Sequence, residues 1–403
     1  MSNKSIQKII IQAVILAGGK GTRMYPFTEN NPKPMYHVEG IPFIEYLILQ
    51  VKEFGIREVV LLLGYLPEKI IDYLGDGSKY NIRITYDITP VEYETGARML
   101  HAKDKIADHF LFMYCDNYCP VNFKRLEASY FENDIWIQLS AYENKDGYTK
   151  SNLKINDDGM ILSYDKKRVT PSMEGVDIGY AIINKEVMQY LSNENLNFEA
   201  NIYPEAIRKK KMFATITKHR YYSIGSWDRI KLTEEFFKNK ATIFLDRDGT
   251  VNKKAPKACY IESSEEFKWL PQAKEAIRKL KENNYRIILI TNQPGIARGN
   301  LTEQALQEIH NKMQNELKEI NSELDKIYYC PHNWEDGCDC RKPKPGMLYQ
   351  AQKELSLDLT KCILIGDDDR DIEAGKETGC KTIKVDETYN LWMAVSDILG
   401  ENL

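Results

Sequence analysis

Short apolar runs alternate with amphipathic stretches along the whole chain. Such runs are typical of buried strands, while an apolar period near 3.6 residues is typical of helices that cover a sheet. In the first half this pattern predicts strands at 13–16, 59–63, 109–114 and 135–141, with helices at 44–54 and 67–73. In the second half it predicts strands at 243–245, 286–290, 326–329 and 362–365, with helices near 272–283, 302–318 and 346–355. The alternation predicts an α/β fold with parallel sheets and helices on both faces.

The pattern also divides the chain in two. A helix predicted over 228–239 is followed almost at once by a strand that starts at 241. A chain of 403 residues is long enough for two hydrophobic cores. We therefore expect one Rossmann-like domain over residues 1–238 and another over 241–403. The short linker predicts that the two domains hold a fixed relation.

Composition narrows the class of protein. The formal net charge of −4 gives no bulk attraction for nucleic acid. No apolar run approaches the roughly 20 residues of a membrane span. Residues 1–12 lack the apolar core of a signal peptide. We therefore expect a cytoplasmic protein with small-molecule substrates and neither nucleic acid nor membrane as a partner.

A glycine-rich loop follows the first predicted strand. It reads LAGGKGTR from Leu16 to Arg23, and PKP follows at 32–34. Glycine lets backbone N–H groups approach phosphate oxygens closely, and Arg23 and Lys33 can neutralise a triphosphate. A glycine turn alone is common between a strand and a helix. The basic residues at this spacing favour a triphosphate site.

These motifs resemble the sugar-phosphate nucleotidylyltransferases over residues 11–235, which implies a nucleotidyltransferase (GT-A-like) fold. By this resemblance Arg23 and Lys33 stabilise the reacting phosphorus and the leaving pyrophosphate, and Asp116 holds Mg²⁺. Lys166 is expected to bind the acceptor phosphate, and Asp177 to line the sugar site. Positioning and positive charge suffice for an in-line attack on phosphorus. The remaining nucleotide-binding positions implied are Leu16, Gly18, Gly19, Gly21, Thr22, Thr95 and Gly96.

Two positions depart from that family. Ser223 stands where a second metal aspartate is common. Either Asp228 replaces that aspartate, or Asp116 and the phosphates suffice. We favour the second alternative, because a carboxylate displaced by five residues points elsewhere. The segment Thr-Gly-Ala-Arg at 95–98 resembles the loop of cytidylyltransferases more than that of guanylyltransferases, so both GTP and CTP stay open.

Acidic, hydroxyl and basic side chains recur where the predicted strands of the second half end. Asp246 and Asp248 follow the first strand, Thr291 ends the second, and an acidic run at 367–371 follows the fourth. Lys342 precedes a proline in an intervening loop. A lone Asp-x-Asp pair often only caps a loop. With the other groups it predicts a phosphomonoesterase, because a carboxylate attacks phosphorus once cations neutralise the repulsion.

This set resembles the haloacid dehalogenase phosphatases over residues 241–390. The resemblance implies that Asp246 attacks and forms an aspartyl phosphate. Asp248 then protonates the leaving oxygen and later activates water. Thr291 and Lys342 are expected to hold the phosphoryl oxygens. The magnesium ligands implied are Asp246, Asp248 and Asp367, with Asp371 helping to orient the ion.

Three of the eight cysteines cluster around one histidine. In a reducing compartment such a cluster favours a metal site over disulfides. Three thiolates and one imidazole make a closed tetrahedral zinc site with no open position. We therefore expect a structural zinc loop that places Arg341 and Lys342. Its ligands are predicted to be Cys330, His332, Cys338 and Cys340.

The zinc loop and the segments 291–299 and 341–347 narrow the resemblance to the D-glycero-D-manno-heptose 1,7-bisphosphate 7-phosphatases. Histidinol phosphatases share the cysteine cluster. Asn292, Arg298 and Arg341 are the substrate-binding residues implied. The family often has a substrate-contacting lysine after the magnesium aspartate, and this chain has Asp368 there.

We expect a bifunctional enzyme of nucleotide-sugar synthesis with Mg²⁺ in both active sites and one structural Zn²⁺. The leading hypothesis is removal of the 7-phosphate followed by transfer of GMP to heptose 1-phosphate, giving a donor for capsule or surface polysaccharide. One alternative is a cytidylyltransferase that uses CTP and another sugar or polyol phosphate. Another is a histidinol-phosphatase-like domain with a non-catalytic, nucleotide-sensing N-terminal domain. The resemblance to the nucleotidylyltransferases leaves open whether the protein forms a homo-oligomer.

Overall fold

The structure is a computed structural model that describes residues 9–401 except 133, 193, 257 and 258. The chain forms two compact units, Met1–Lys238 and Asn239–Leu403. Within the described residues, every helix is too short or too polar to cross a bilayer.

A seven-stranded sheet forms the centre of the first unit. The strands of this unit are β1 Gln12–Ala17, β2 His37–Val38, β3 Ile41–Pro42, β4 Glu58–Leu63, β5 Arg83–Ile88, β6 His109–Tyr114, β7 Asn117–Tyr118, β8 Ile137–Tyr142, β9 Leu153–Ile155, β10 Ile161–Tyr164, β11 Val176–Asn184, β12 Met212–Thr217 and β13 Tyr222–Ser223. Its helices are α1 Phe43–Glu53, α2 Pro67–Leu74, α3 Thr95–His101, α4 Phe123–Glu132, α5 Phe198–Arg208 and α6 Trp227–Phe237.

The strand order of this sheet is β12-β8-β11-β6-β1-β4-β5. The prediction of a wholly parallel sheet is wrong here, because β11 runs antiparallel to both β6 and β8. Seven of the nine residues of β11 are buried. An apolar run of this kind indicates that a strand is buried on both faces, but it does not indicate the direction in which the strand runs.

The paired strands β1 and β6 place two predicted motifs side by side. They are parallel, with Leu16 opposite Tyr114. The glycine loop leaves the end of β1, and Asp116 lies just beyond β6. Ligands of such sheets bind at the carboxyl ends of the strands. The glycine loop and Asp116 therefore share one edge.

The second unit contains a five-stranded sheet. Its strands are β14 Thr242–Leu245, β15 Arg286–Asn292, β16 Lys326–Cys330, β17 Ile363–Gly366 and β18 Lys381–Lys384. Its helices are α7 Ala273–Glu282, α8 Glu303–Lys318, α9 Gly346–Leu355, α10 Asp369–Thr378 and α11 Leu391–Leu399.

This second sheet is parallel throughout, as the sequence predicts, in the order β16-β15-β14-β17-β18. Buried side chains cover both of its faces, in one cluster that includes Leu245 and Leu289 and another that includes Phe244 and Ile288. Leu245, the last residue of β14, lies opposite Leu289 of β15 and Ile365 of β17. The polar residues that follow these strands therefore meet at one edge.

Candidate active sites

A cavity of about 320 Å³ lies over the glycine loop of the first unit. Gly21 has φ 65°, a left-handed conformation that glycine adopts without strain. Of the predicted residues, those that line the cavity are Leu16, Gly18, Gly19, Gly21, Lys33, Thr95 and Asp116.

Lys33 and Asp116 form an ion pair in this cavity, with Nζ 2.5 Å from Oδ2. Their side chains are 13% and 18% exposed. A short 3₁₀ turn, Lys33–Met35, holds the lysine in place. The pair brings together the cation and the carboxylate that the sequence assigned to triphosphate and metal.

Arg23 lies beside this pair, although it does not line the cavity. A Cβ atom added to Gly225 would lie 3.8 Å from Nη2 of Arg23 and 3.6 Å from Oδ2 of Asp116. Ser223 pairs with Asn117 across β13 and β7, and its hydroxyl accepts a hydrogen bond from the Gly225 amide (2.9 Å). Ser223 therefore lies in the segment next to Asp116.

Asp228, the alternative second metal ligand, is exposed on the first turn of α6. Among the described residues, the groups of three or more possible metal ligands do not include either Asp116 or Asp228. The geometry therefore leaves Asp116 as the carboxylate at this site.

Arg98 is buried beneath the loops of the nucleotide cavity. Its Nη1 donates to the Leu63 carbonyl (2.8 Å) and to the Thr89 hydroxyl. Its Nη2 donates to the carbonyl groups of Gly18 (3.2 Å), Pro90 and Val91 (both 3.1 Å). The side chain is thus occupied by protein acceptors from three segments of the chain, at 18, 63 and 89–91.

The glycine loop fits closely around this guanidinium. A Cβ atom on Gly18 would lie 2.5 Å from Cζ of Arg98, and one on Gly64 would lie 2.5 Å from Nη1. Steric contact with Arg98 therefore requires glycine at both positions.

Thr95 and Gly96, at the start of α3, are tied to the segment that leads into α5. The Thr95 hydroxyl accepts hydrogen bonds from the Phe198 amide (2.8 Å) and from the Asn197 side chain (3.0 Å). The Gly96 amide donates to the Leu196 carbonyl (2.9 Å). Thr95 faces the cavity, whereas Gly96 and Thr22 are not among its lining residues.

The residues predicted to bind the acceptor lie outside this cavity but near one another. Lys166 lies 3.3 Å from the buried Glu199, a residue that the sequence did not single out. Burial raises the pKa of Glu199 to about 7. Asp177 accepts hydrogen bonds from the Gly179 amide (2.8 Å) and from the Tyr203 hydroxyl (3.4 Å). This cluster combines one cation with two carboxyl groups.

The second unit has a larger cavity of about 640 Å³ at the carboxyl edge of its sheet. Its lining includes each residue that the sequence predicted for the phosphatase site, namely Asp246, Asp248, Thr291, Asn292, Arg298, Arg341, Lys342 and Asp367.

Lys342 is the centre of this site. Its Nζ lies 2.6 Å from Asp246 Oδ1, 2.6 Å from Asp371 Oδ1 and 2.8 Å from the Ile290 carbonyl. Burial works against the charged ammonium, but Asp246 and Asp371 raise the net pKa of Lys342. The Asn292 amide group bonds to both the backbone N–H and C=O of Lys342, each at 3.0 Å. Asn292 therefore positions the lysine.

Three carboxylates converge next to the lysine: oxygens of Asp246, Asp367 and Asp371 lie within 4.8 Å of one another. Burial raises the pKa of Asp246, Lys342 lowers it and Asp371 raises it further. Oδ1 of Asp367 is buried without a hydrogen-bond partner, and Lys254 contacts the other oxygen at 2.7 Å. Clustered oxygens with an orphan acceptor fit a hard divalent cation.

Asp248 does not belong to this cluster, although the sequence named it as a magnesium ligand. Its carboxylate accepts hydrogen bonds from Arg247, Asn252 (2.9 Å) and Gln293 (3.0 Å). Burial alone would raise its pKa, but the charge of Arg247 and these hydrogen bonds lower it. The third carboxylate of the cluster is that of Asp371, which the sequence analysis expected only to help orient the ion.

Thr291 and the predicted arginines occupy different parts of the cavity wall. Thr291 is buried, and its hydroxyl accepts a hydrogen bond from Gln293 (2.8 Å). Arg298 is exposed and donates to the Tyr260 hydroxyl (2.6 Å) and to Asn333 (3.1 Å). Arg341 is buried and donates to the His332 carbonyl (3.2 Å).

The predicted cysteine and histidine ligands also come together. Sγ of Cys330 lies 3.3 Å from Sγ of Cys340 and 3.7 Å from Sγ of Cys338. Nδ1 of His332 lies 3.2 Å from Cys340 and 3.6 Å from Cys330. Ligands about 2.3 Å from a tetrahedral zinc would be about 3.8 Å apart. The four atoms therefore fit a metal of that size.

Comparison with known proteins finds a family for each unit. Residues 12–239 match the nucleotidyl transferase family, and residues 241–389 match the family described as polynucleotide kinase 3 phosphatase. The D-glycero-beta-D-manno-heptose-1,7-bisphosphate 7-phosphatase of Haemophilus influenzae is 45% identical over 143 residues, which are 34% of this chain and 76% of that protein. The chain belongs to the nucleotidyl transferase family and, in its second unit, to the heptose bisphosphate phosphatases.

Further relatives and solved structures cover one unit each. The alpha-form 7-phosphatase of Photorhabdus laumondii is 40% identical over 34% of this chain and 76% of its own length. HddC of Yersinia pseudotuberculosis, solved with GMP-PN, is 26% identical over 57% of this chain and 100% of that one, with TM-score 0.49. The D,D-heptose 1,7-bisphosphate phosphatase of B. bronchiseptica, solved with magnesium and phosphate, is 32% identical. The match covers 40% of this chain and 99% of that one, with TM-score 0.38.

The bifunctional enzyme therefore carries a nucleotidyltransferase and a phosphatase activity on one chain, and the sequence-based prediction of both reaction types is confirmed. Several residues of these sites were not predicted: Arg98 as an internal brace, Glu199, Arg247, Lys254 and Gln293. Most carry no signal in a single sequence, since buried polar residues look like surface ones. Gln293 was detectable, because it directly follows the predicted Thr291 and Asn292.

Proposed function

We propose that this enzyme removes the 7-phosphate of D-glycero-D-manno-heptose 1,7-bisphosphate and then joins the resulting heptose 1-phosphate to GMP from GTP, releasing pyrophosphate. The contact of Lys342 with both Asp246 and Asp371 in the phosphatase cavity carries the first half of the proposal. The names of the relatives of this unit support the heptose substrate. The second half follows because the phosphatase reaction yields a sugar 1-phosphate, and a sugar phosphate is the type of acceptor that the nucleotidyltransferase reaction uses.

In the phosphatase unit, which we assign to the haloacid dehalogenase type, Asp246 attacks the phosphorus. Its carboxylate forms a bond to phosphorus as the bond to the sugar oxygen breaks, which gives an aspartyl phosphate. Lys342 and the Thr291 hydroxyl hold the phosphoryl oxygens. Asp248 donates a proton to the leaving sugar oxygen and then takes one from the water that hydrolyses the intermediate.

Asp246, Asp367 and Asp371 are the residues that would hold Mg²⁺ in this unit. When bound, the ion offsets the charge repulsion between the phosphate and the attacking carboxylate. Lys342, which is paired with Asp246 and Asp371, supplies a second positive charge beside these carboxylates. Cys330, His332, Cys338 and Cys340 would hold a structural Zn²⁺ that fixes the loop leading to Lys342.

In the nucleotidyltransferase unit, the glycine loop and Lys33 hold the triphosphate, while Asp116 would hold Mg²⁺. Arg23 approaches the same place from the loop that follows Gly21. Lys166 binds the acceptor phosphate, whose oxygen attacks the α-phosphorus as the bond to pyrophosphate breaks. Fixed cations stabilise the charge that develops on the phosphoryl oxygens.

The nucleotide and the sugar are tested by a screen. Four nucleoside triphosphates are paired with a panel that contains both anomers of heptose 1-phosphate, other sugar phosphates and a polyol phosphate. Pyrophosphate release with GTP and a heptose 1-phosphate supports the proposal. Turnover only with CTP, or only with another acceptor, contradicts it. Pyrophosphate release with any of these pairs would exclude the alternative of a non-catalytic, nucleotide-sensing unit, and release with none of them would contradict the proposal.

Phosphate release is measured in parallel from both anomers of the heptose bisphosphate and from histidinol phosphate. Preferential turnover of histidinol phosphate would contradict the proposed substrate. Lys33→Met is expected to abolish pyrophosphate release and Asp246→Asn to abolish phosphate release. Each variant serves as the control for the other, because each leaves the residues of the second reaction untouched.

A further inference from the structure

Glu199 is a buried carboxyl group of the first unit to which the proposed reactions assign no role. It lies in the first turn of α5, and its Oε2 is 3.3 Å from Nζ of Lys166. The Glu199 side chain is 4% exposed, whereas that of Lys166 is 49% exposed. A buried carboxylate is costly unless it is paired. Its contact with Lys166 therefore links a buried anion to a cation that reaches the surface.

The backbone around Glu199 is firmly held at the start of α5. The side chain of Asn197 caps this helix, because it accepts a hydrogen bond from the Ala200 amide (3.1 Å). The Phe198 amide donates to the Thr95 hydroxyl (2.8 Å). The N-terminus of a helix also favours a negative charge. Glu199 is thus a carboxylate on a fixed support.

Lys166 is held less firmly. It lies in a turn just beyond β10. A lysine side chain has a flexible four-carbon stem, and holding it in one position costs conformational entropy. Its ammonium has three N–H donors, so it can bond to Glu199 and still present donors to a phosphate. The ion pair therefore gives the lysine a fixed point without using all of its donors.

Several ionisable groups face Glu199 besides Lys166. Tyr203 lies one turn further along α5, on the same face, and its hydroxyl donates to Asp177 of β11 (3.4 Å). Glu94 approaches from the loop before α3. Burial raises the pKa of Glu199 to about 7; its own backbone N–H lowers the pKa, and the charge of Glu94 raises it. The carboxyl group of Glu199 therefore changes its charge near neutral pH.

We propose that Glu199 is a positioning residue for nucleotidyl transfer, whose ionised carboxylate holds the Lys166 ammonium in place for the acceptor phosphate. This inference rests on the proposed role of Lys166. A neutral Glu199 keeps an acceptor oxygen but loses the charge that restrains the lysine, so the acceptor binds less tightly. The nucleotide is affected little, because neither Lys166 nor Glu199 is among the residues that line the nucleotide cavity.

The test measures pyrophosphate release by the full-length enzyme with GTP and varied heptose 1-phosphate. Glu199→Gln mimics the neutral form at every pH. At pH 8 its kcat/KM for the acceptor should be about tenfold below that of the wild type, mainly through a higher KM, while the KM for GTP is unchanged. At pH 6 most wild-type carboxyl groups are protonated, so the difference should shrink to about twofold. The acceptor phosphate itself gains a proton at about pH 6, so the enzymes are compared at equal pH.

Lys166→Met separates positioning from a structural role. In that background Glu199→Gln should have no further effect on the kcat/KM for the acceptor. Glu199→Asp keeps the charge and should restore part of the activity at pH 8. The matched control is Glu205→Gln, which removes a carboxylate of the same helix that pairs with the exposed Arg208 and should leave the KM for the acceptor unchanged.

An acceptor KM in Glu199→Gln that is equal to the wild-type value at pH 8 would overturn the inference. A lower KM would also overturn it, since Glu199 would then compete with the phosphate for the lysine. Equal losses at both pH values, or a further loss in the Lys166→Met background, would indicate a structural role instead.

If Glu199→Gln fails to fold, as judged by circular dichroism, Lys166→Met alone decides. Its acceptor KM should then change less between pH 8 and pH 6 than that of the wild type, and an equal change would overturn the inference. A wild-type enzyme that releases no pyrophosphate with any nucleotide and acceptor would contradict the proposed function itself, so the two failures are distinguishable.

Discussion

Arg247 and Asp248 are neighbours in the chain, and the guanidinium of the first makes a two-point contact with the carboxylate of the second. Nη2 of Arg247 lies 2.9 Å from Oδ2 and 3.1 Å from Oδ1. Arg247 is itself fully buried. Burial would raise the pKa of Asp248, but the charge of Arg247 lowers it, and the two-point contact fixes the orientation of the carboxylate that we propose as the general acid.

Asp248→Asn is expected to slow phosphate release most for substrates whose leaving group needs a proton. A general acid contributes about 100-fold to 10,000-fold, and a sugar alkoxide needs the proton far more than p-nitrophenolate does. kcat should fall by that factor for the heptose bisphosphate and much less for p-nitrophenyl phosphate, as measured by phosphate release. Equal losses on both substrates would exclude Asp248 as the general acid.

His310, on α8, makes the second unit sensitive to acid. It is buried beside Arg247, and burial, followed by the arginine charge, lowers the pKa of His310 to about 3. An unfolded histidine has a pKa near 6.5. Between pH 6.5 and about 3 the unfolded chain binds the additional proton, so the free energy of unfolding falls as the pH is lowered.

His310→Gln removes this contribution. Between pH 6.5 and 4.5 the difference in the free energy of unfolding amounts to about 2.3 kcal/mol. Denaturant unfolding of the second unit at pH 6.5 and 4.5 should show a smaller loss in the variant than in the wild-type enzyme. His37→Gln, in the other unit, is the control. The same loss in His310→Gln and the wild type would show that the histidine does not titrate in this way.

Arg98→Met should destabilise the first unit. The substitution leaves the buried carbonyl groups of Gly18 and Leu63 and the buried hydroxyl of Thr89 without their donor. Removal of one partner from a buried charged network costs about 3 kcal/mol or more. Pyrophosphate release should fall as the glycine loop loses its support, while phosphate release persists. Arg83→Met is the control, since Arg83 is 71% exposed. Unchanged denaturant stability in Arg98→Met would contradict the bracing role.

Ser223→Asp should lower the Mg²⁺ concentration needed for half-maximal pyrophosphate release, because it adds a carboxylate to the segment beside Asp116. An additional oxygen ligand of this kind strengthens binding of a hard cation. Asp228→Asn should leave the Mg²⁺ requirement unchanged. A higher requirement in Asp228→Asn would instead show that Asp228 is the second ligand.

Cys338→Ser should remove the metal of the cysteine cluster. Elemental analysis of the purified enzyme is expected to find one zinc per chain in the wild type and much less in the variant. Phosphate release should fall strongly, because the loop carries Arg341 and Lys342, while pyrophosphate release is retained. Cys259→Ser should keep its zinc, since Cys259 lies outside the cluster. A wild-type enzyme without zinc would contradict the assignment.

The sequence by itself determined eight of the strands that the structure describes and the two chemistries. Apolar runs located these eight strands to within one or two residues, since burial in a sheet needs a continuous apolar segment. The carboxyl ends of those strands then placed Asp246 and Thr291 together, and likewise the glycine loop and Asp116. These groups are local in sequence or follow from strand pairing in a parallel sheet.

Only the tertiary structure decided the direction of β11, the replacement of Asp248 by Asp371 in the carboxylate cluster, and the use of Arg98. The direction of a strand depends on the strands beside it, and an apolar run has the same pattern in a parallel and in an antiparallel strand. The side chains of Arg98 and Asp248 each have several acceptors or donors within reach, and which of them they meet is set by loops from distant parts of the chain. Partner choice of this kind is a property of packing and leaves no periodic pattern in the sequence.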